Sequence, residues 1–531
     1  MSVPKSPVPL HPDGPGKVYL VGAGPGDPWL LTRKGEAVLL RADVVVYDHL
    51  ANSRLLDLTR HDAVRILAGK SIGHCILTQE EINDLLVGNA RAGRMVVRLK
   101  GGDPLLFGRG GEEAVCLQNA GIPFEIVPGV TAGLGATAYA GIPVTNRTDA
   151  SAVAFVTGHD DPESEPARLD WSALAGFPGT LVVYMGVTHL GAICRTLMRL
   201  GKPGETPAAV IESGTLPSQQ THVGTLETIA QIAASASVRP PALLVVGPVV
   251  GLRAKLRWFE HLPLFGQRIV ITRPQEEAYR AAAALEFLGA DVLLAPTVEV
   301  RPITDPTALD GAIDRLADYE WLVFTSANGV RFFLRRLEER GRDLRAMGHL
   351  KLAAIGPTTS EALAGYHLRA DLVPKSYRSE SLAEALSQTA AGCKILLARA
   401  DRGRTLLKDE LELVADIDQV AVYHNADVTS LPPSIVDEIV DGTVDWITLT
   451  SSAITERLHE LLPESARRRI GHETRLASLS PVTTATAARL GWGVAAEAAE
   501  FTWDGLVRAL VARLAADRQE SSSTTSTSPS L

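Results

Sequence analysis

The residues that first suggest chemistry form the turn Gly22-Ala23-Gly24-Pro25-Gly26-Asp27, directly after an aliphatic run. A dinucleotide-binding fingerprint wants Gly or Ala where Asp27 stands, and a carboxylate there opposes a pyrophosphate. The turn suits instead a backbone approach to a ligand without phosphates, because Gly and Pro let main-chain groups come close at little steric cost. Further along, hydroxyl-bearing turns dominate: Thr325-Ser326-Ala327-Asn328-Gly329-Val330, Gly356-Pro357-Thr358-Thr359, Thr450-Ser451-Ser452 and Ser480-Pro481-Val482-Thr483-Thr484. Each is expected to follow a strand and open a helix, where free backbone N–H groups and hydroxyls can hold carboxylates. Any single one is explained as well by an ordinary N-cap; several facing one cleft would be a substrate site. That half of the chain shows no metal-ligand cluster, no Ser-His-Asp arrangement and no phosphate loop.

Composition bounds what these turns can belong to. At 531 residues the chain is too long for one hydrophobic core, and 46% hydrophobic with 21% charged residues is that of folded globular domains, Ala-rich and only 5% aromatic. A formal charge of -9 argues against a general nucleic-acid partner, so an anionic substrate needs a local Arg and Lys lining. Cys75, Cys116, Cys194 and Cys393 are scattered, with no CxxC pair and no His at ligand spacing, so neither a metal site nor a disulfide framework is expected. No signal pattern opens the chain and no run approaches a membrane helix, so a cytoplasmic protein without membrane contact is expected.

The elements that must position these residues read as α/β layers with the site on loops at strand ends. Strands are predicted at Lys17–Val21, Val44–Tyr47, Met95–Leu99, Phe124–Val127, Val153–Thr157, Leu181–Met185, Ala208–Ile211 and Ala242–Val246. Thr78 and Glu81 form a capping box ahead of Ile82, Leu85 and Leu86, and Gly93 stands where a C-terminal cap belongs. A second beginning comes at Gly266, and from there the chain repeats itself. Trp321 to Ser326 returns as Trp446 to Ser451, Leu352 to Leu386 as Leu476 to Leu510, and Arg268 to Arg273 as Lys394 to Arg399. The offset of about 125 residues is too long for a solenoid and predicts one α/β unit used twice, as two lobes with a cleft between them. Residues 1–16 and 517–531 are too rich in Pro and Gly, or in Ser and Thr, to order themselves.

The motifs of the first half occur in a fixed order. Gly22 to Asp27 is followed by Leu30-Leu31-Thr32, Val44 to Asp48, Gly69-Lys70, Gln79-Glu80-Glu81-Ile82-Asn83 and Val97-Arg98-Leu99-Lys100-Gly101-Gly102-Asp103-Pro104. Then come Phe107-Gly108-Arg109-Gly110-Gly111-Glu112-Glu113, Val127 to Ala132, Ala140-Gly141-Ile142-Pro143, Val156-Thr157-Gly158-His159 and Tyr184-Met185-Gly186. This run resembles the uroporphyrinogen-III C-methyltransferases of the tetrapyrrole methylase family. The resemblance implies a two-domain methylase fold over 17–259, with subdomains at about 17–128 and 129–259, and S-adenosylmethionine as methyl donor without a metal. It places the cofactor against Pro25, Gly101, Gly102, Asp103, Leu106, Thr131, Ala132, Met185 and Gly214, and implies a homodimer through this part. Asp48 falls at the family's proposed proton acceptor and Lys70 at its proposed donor. A turn cap for Asp48, a carboxylate-binding cation for Lys70 and core filling for Met185 are the plainer alternatives. Arg109 and Arg147 are candidates for the substrate carboxylates. His49 and Ser71 stand where relatives more often carry Arg, and Asn146 with Thr148 to Ala150 replaces a His-Arg-Asp-Tyr type of stretch. No NAD-dependent dehydrogenase module is recognisable.

The hydroxyl turns of the second half, with Ile271-Thr272-Arg273-Pro274, Ala398 to Gly403 and Val420-Ala421-Val422-Tyr423, resemble uroporphyrinogen-III synthase. The resemblance implies a linker at 260–265 and a two-lobed α/β module over 266–516. Lobe one would be about 266–297 plus 426–516 and lobe two about 302–419, joined by Pro296 to Arg301 and Gln419 to Asn425. Tyr423 is the family position offered as an acid assisting hydroxyl departure, or else a packing aromatic. Thr325, Ser326, Arg402, Ser451 and Thr483 are the candidate substrate contacts. Together the halves imply cyclisation of hydroxymethylbilane to uroporphyrinogen III and its methylation at C2 and C7 to precorrin-2, on the route to sirohaem or cobalamin. The alternative is a methyltransferase with a noncatalytic tetrapyrrole-binding C-terminal module.

Overall fold

The structure, a computed structural model, describes residues 16–60, 62–68, 77–162, 169–402 and 405–525. Two compact units divide the chain: Met1–Gln267 with Leu285–Asp291, and Arg268–Ala284 with Val292–Leu531.

The first unit holds two five-stranded sheets. One is wholly parallel, built from β1 (Val18–Gly22), β2 (Val44–Tyr47), β3 (Val64–Leu67), β4 (Val96–Lys100) and β5 (Phe124–Val127) in the order β3-β2-β4-β1-β5. Its strands are unbroken aliphatic runs because apolar clusters cover both faces, Val18, Leu20, Val44 and Val46 packing on one side and Val21, Val45, Val97 and Leu99 on the other. β3 escapes a hydrophobicity reading because it is an edge strand with Val64 and Arg65 exposed. The second sheet contains β6 (Val153–Thr157), β7 (Thr180–Tyr184), β8 (Pro207–Glu212), β9 (Gln220–Thr225) and β10 (Ala242–Val246), ordered β6-β7-β10-β8-β9. Only β6 and β7 pair in parallel; β10 runs against both β7 and β8, and β9 against β8. β9, Gln-Thr-His-Val-Gly-Thr, is a polar edge strand and carries no periodic apolar signal either.

Local chemistry places the helices between them. The predicted capping box closes the Gln79–Arg91 helix, with Thr78 Oγ1 accepting from Glu81 N at 3.2 Å and Glu81 Oε2 accepting from Thr78 N at 2.6 Å. Gly93 follows in the left-handed region at φ +78°. Residues 260–265, expected as a linker, pack on the first unit: Phe259 and Leu264 are buried, and Glu260 accepts from Gln219 Nε2 at 3.2 Å and Thr221 Oγ1 at 3.0 Å.

The second unit repeats one arrangement. β11 (Arg268–Ile271), β12 (Asp291–Leu294), β13 (Val298–Pro302), β14 (Trp321–Phe324), β15 (Lys351–Ala354), β16 (Lys394–Ala400), β17 (Asp416–Asp427), β18 (Trp446–Leu449), β19 (Arg475–Ser478) and β20 (Ala496–Glu497) make two sheets, β12-β11-β18-β19-β20 and β13-β17-β16-β14-β15. The run β12-β11-β18-β19 has the same neighbours as β17-β16-β14-β15, and the bridge of Ala353 to Leu372 stands where β19 pairs with β20. β13 pairs antiparallel with the far end of β17, Val298 opposite Asp427 and Pro302 opposite Tyr423. The helix Trp503–Thr525 runs on through residues 517–525, which composition alone assigns to an unstructured tail. Its first part buries Leu506, Leu510 and Leu514, and a helix nucleated by that face extends further than an isolated one would.

Candidate functional site

In the first unit, the loops leaving β1, β4 and β5 are locked to one another by backbone contacts that only small residues permit. Gly24 and Gly102 exchange N–H···O bonds at 3.2 and 2.7 Å, both at positive φ. A Cβ on Gly129 would lie 2.2 Å from Gly102 O, and one on Gly22 2.5 Å from Gly129 Cα. Pro25 packs on Gly135 and Gly214 on Ala136, so the β1 and β8 loops both rest on the Ala132–Tyr139 helix. Asp27, the residue that breaks the dinucleotide fingerprint, accepts from Trp29 N at 2.8 Å and Tyr139 Oη at 2.6 Å. Its carboxylate is a turn and helix clamp. Asp27 N in turn donates to the buried Thr215 Oγ1 at 3.0 Å.

Asp103 clamps the next pair of loops. Oδ1 accepts from Leu105 N at 2.9 Å and Leu106 N at 3.2 Å, and Oδ2 from Gly129 N at 3.0 Å. Gly101 lies against Leu50 Cβ. Thr131 Oγ1 meets Tyr184 Oη at 2.7 Å, and Tyr184 Oη accepts from Gly133 N at 2.6 Å, tying the start of the helix to the end of β7. Burial raises the Tyr184 hydroxyl above its ordinary value, so it remains a neutral donor and acceptor. Met185 follows at φ +54° and is 49% exposed, so it is not core filling. Phe107, Arg109, Ser213 and Thr215 also hold left-handed backbone, and the Phe107 ring lies tilted against Tyr184, 5.0 Å between centroids. Such conformations cost about 1–3 kcal/mol each for residues with a Cβ and gather where a ligand must be gripped. Pro25, Gly101, Gly102, Asp103, Leu106, Thr131, Ala132, Met185 and Gly214 thus lie on loops joined by direct contacts. Glycine walls, strained turns and an exposed thioether fit an uncharged-edged ligand approached by backbone.

Asp48 ends β2 and is 29% exposed. Arg98 Nη2 donates to its Oδ1, and Lys100 Nζ lies 3.8 Å from Oδ2. Behind them Glu113, fully buried, accepts from Arg98 Nε at 3.1 Å, Lys100 Nζ at 3.0 Å and Gln79 Nε2 at 3.3 Å. An Arg and a Lys at alternate positions of an otherwise aliphatic strand are the sequence signal for this cluster, because charges buried there must be paired. Lys70, the expected donor, lies outside the described residues. Arg109 is exposed and forks onto Glu112 at 2.9 and 2.7 Å; Arg147 is exposed on the turn closed by Asn146 and Ala150.

In the second unit, the four hydroxyl turns do follow β14, β15, β18 and β19 and open helices. Ser326 and Ser451 cap theirs, accepting from Gly329 N at 2.9 Å and Ile454 N at 3.3 Å. Ser326 Oγ also meets Tyr423 Oη at 3.0 Å, and the Tyr423 ring stacks on Phe332 at 5.7 Å, so this tyrosine both packs and points its hydroxyl at a capping turn. Thr325 is half-buried beside them. Thr483 is 2% exposed with Oγ1 on Ser480 Oγ at 3.0 Å, a buried capping contact rather than an open donor. Arg402 is exposed and paired with Asp427 at 2.8 Å. Sequence reading passed over the neighbouring pair in which Asp401 Oδ2 meets His424 Nδ1 at 2.9 Å. Two residues distant in sequence and of common surface type give no signal before β16 and β17 bring them together. Among the described residues no cluster of His, Cys, Asp or Glu is arranged to hold a metal, and no helix is long and apolar enough to cross a membrane.

Both units are α/β in architecture, one with its loops gathered at strand ends and the other a duplicated two-sheet module. Residues 17–230 match the tetrapyrrole (corrin/porphyrin) methylases, and residues 280–508 match uroporphyrinogen-III synthase HemD. The porphyrin biosynthesis protein HemD of Ruminiclostridium josui is 35% identical over 83% of this chain and 88% of its own length. The S-adenosyl-L-methionine-dependent uroporphyrinogen III methyltransferase of Methanosarcina barkeri is 53% identical over 45% of this chain and 93% of its own. The siroheme synthase of Nitrosospira multiformis is 51% identical, but the match spans only 52% of it. A solved uroporphyrin-III C-methyl transferase from Thermus thermophilus, complexed with S-adenyl homocysteine, shares 43% identity over 45% of this chain and all of its own, with a TM-score of 0.39. The chain belongs to the tetrapyrrole methylases by its first half and to the HemD uroporphyrinogen-III synthases by its second, and is a bifunctional enzyme of tetrapyrrole biosynthesis.

Proposed function

We propose that residues 266–516 cyclise hydroxymethylbilane to uroporphyrinogen III with inversion of the D ring, and that residues 17–259 methylate this product at C2 and C7 with S-adenosylmethionine. The convergence of the glycine turns, Asp103, Thr131 and Met185 on one set of joined loops supports a sulfonium donor held by main chain. S-adenosylmethionine supplies the electrophilic methyl; the chain's part is to align it with a pyrrole carbon and to accept the proton the methylated ring must lose. Asp48, beside two cations and open to solvent on one side, suits that acceptor. Asp48→Asn should slow methylation by about 10²–10⁴-fold with cofactor affinity retained.

In the synthase module little acid-base chemistry is needed. A flexible polycarboxylate must be folded into one reactive geometry, and the Ser326, Thr325 and Ser451 turns suit its carboxylates, with Tyr423 Oη placed to assist loss of the hydroxyl. Domain limits of 17–259 and 266–516 and a cytoplasmic homodimer joined through the methylase part complete the proposal. Chromatography with mass spectrometry of products from the purified full chain, given hydroxymethylbilane and S-adenosylmethionine, tests it: dimethylated type III product is expected, and unmethylated type I isomer alone would refute both activities.

A further inference from the structure

Asp48 is the open end of a row of charges running back into the first sheet. Arg98 and Lys100 occupy alternate positions of β4 and so share one of its faces, directed at the Gly110–Asn119 helix. Their side chains are 3% and 4% exposed, and that of Glu113 is 0%. Fold stability alone does not call for this, since apolar residues of similar size commonly hold such positions as well or better. The bonding is lopsided. All three donors, from Arg98, Lys100 and Gln79, converge on Glu113 Oε1, while Oε2 is buried without a hydrogen-bond partner among the described residues.

The consequence lies at the other end. Two cations acting on Asp48 without a counter-anion would make its carboxylate a poor base, because each stabilises the ionised form. A second carboxylate behind them takes a share of both. We propose that Glu113 and Lys100 are positioning residues that orient Asp48 and set its basicity as the acceptor of the ring proton after methyl transfer. In that step a C–H bond of the methylated ring breaks, its electron pair neutralises the ring cation, and the proton goes to an Asp48 oxygen. The inference rests on Asp48 being the acceptor. Lys100 fits the role: burial, then the adjacent Arg98, push its ammonium below the ordinary value, against the pull of Glu113 and Asp48. At the start of the Gly110–Asn119 helix Arg109 interacts electrostatically with Glu113 and Glu112 with Lys100, and His49 follows Asp48 in the chain. Lys70 lies outside the described residues.

The test is the pH dependence of single-turnover methylation by the full chain, saturated with S-adenosylmethionine and mixed anaerobically with uroporphyrinogen III. Glu113→Gln removes an anion, so the acidic limb should move down by about one pH unit with a slower plateau; Lys100→Met removes a cation, so the limb should move up by a similar amount. Calorimetric binding of S-adenosylmethionine verifies folding. Should a buried variant not fold, Gln79→Glu at the half-exposed end carries the same test and should move the limb up by less. Charge-conserving Lys100→Arg should leave the limb in place. Limbs that stay put, or that move the same way in Glu113→Gln and Lys100→Met, overturn the proposal. A limb that persists in Asp48→Asn instead overturns Asp48 as the acceptor.

Discussion

At the scale of single residues, the methylase site is defined by what its polar groups already bond. Asp103 spends both carboxylate oxygens on backbone N–H groups of two loops, Leu105 with Leu106 and Gly129. Removing it therefore loosens both walls at once, besides any bond it makes to the cofactor. Asp103→Ala should weaken S-adenosylmethionine binding by about 1–3 kcal/mol, read by calorimetry, and unchanged affinity would remove it from the site. Asp27 shows why a motif must be read by its chemistry: its carboxylate is committed to Trp29 N and Tyr139 Oη, and its charge opposes a pyrophosphate.

At the scale of elements, close backbone approach decides which substitutions the loops accept. Gly129 faces Gly102 O at a distance where no Cβ fits, with backbone rather than a flexible side chain as the obstacle. Gly129→Ala should push the β1, β4 and β5 loops apart, cost about 1–3 kcal/mol of stability in thermal unfolding, and reduce cofactor affinity in step. Where β9 meets the end of the unit, burial pushes the Glu260 carboxyl up, but Arg253, Gln219 and Thr221 outweigh it and hold the group below its ordinary value. A group depressed in the folded state contributes stability that is full above its unfolded value of 4.5 and is lost as pH falls through the folded one. The melting temperature of the unit containing it should fall more steeply below that pH in the wild-type chain than in Glu260→Gln; parallel curves would contradict the linkage.

At the scale of the whole molecule, the repeated arrangement in the second unit supplies two sheets that each have their own core, one around Phe324 and Phe333 and the other around Ile447 and Leu449. Residues 266–516 alone should convert hydroxymethylbilane to the type III isomer. A tetrapyrrole-binding module without catalysis would leave only the spontaneous type I product, separable by chromatography.

The sequence by itself determined the α/β class, the duplication, the glycine turns, the capping box at Thr78 and the motifs that mark both families, because these are local patterns of residue type and spacing. Edge strands such as β3 and β9 escaped it, since a strand with one face in solvent needs no apolar run. Tertiary structure alone decided that Met185 is exposed, that Thr483 is buried, that Asp401 reaches His424, and that Glu113 stands behind Arg98, Lys100 and Asp48. Burial and long-range pairing depend on which segments the chain brings together, and the interaction energy of two charges follows their separation in space rather than along the chain.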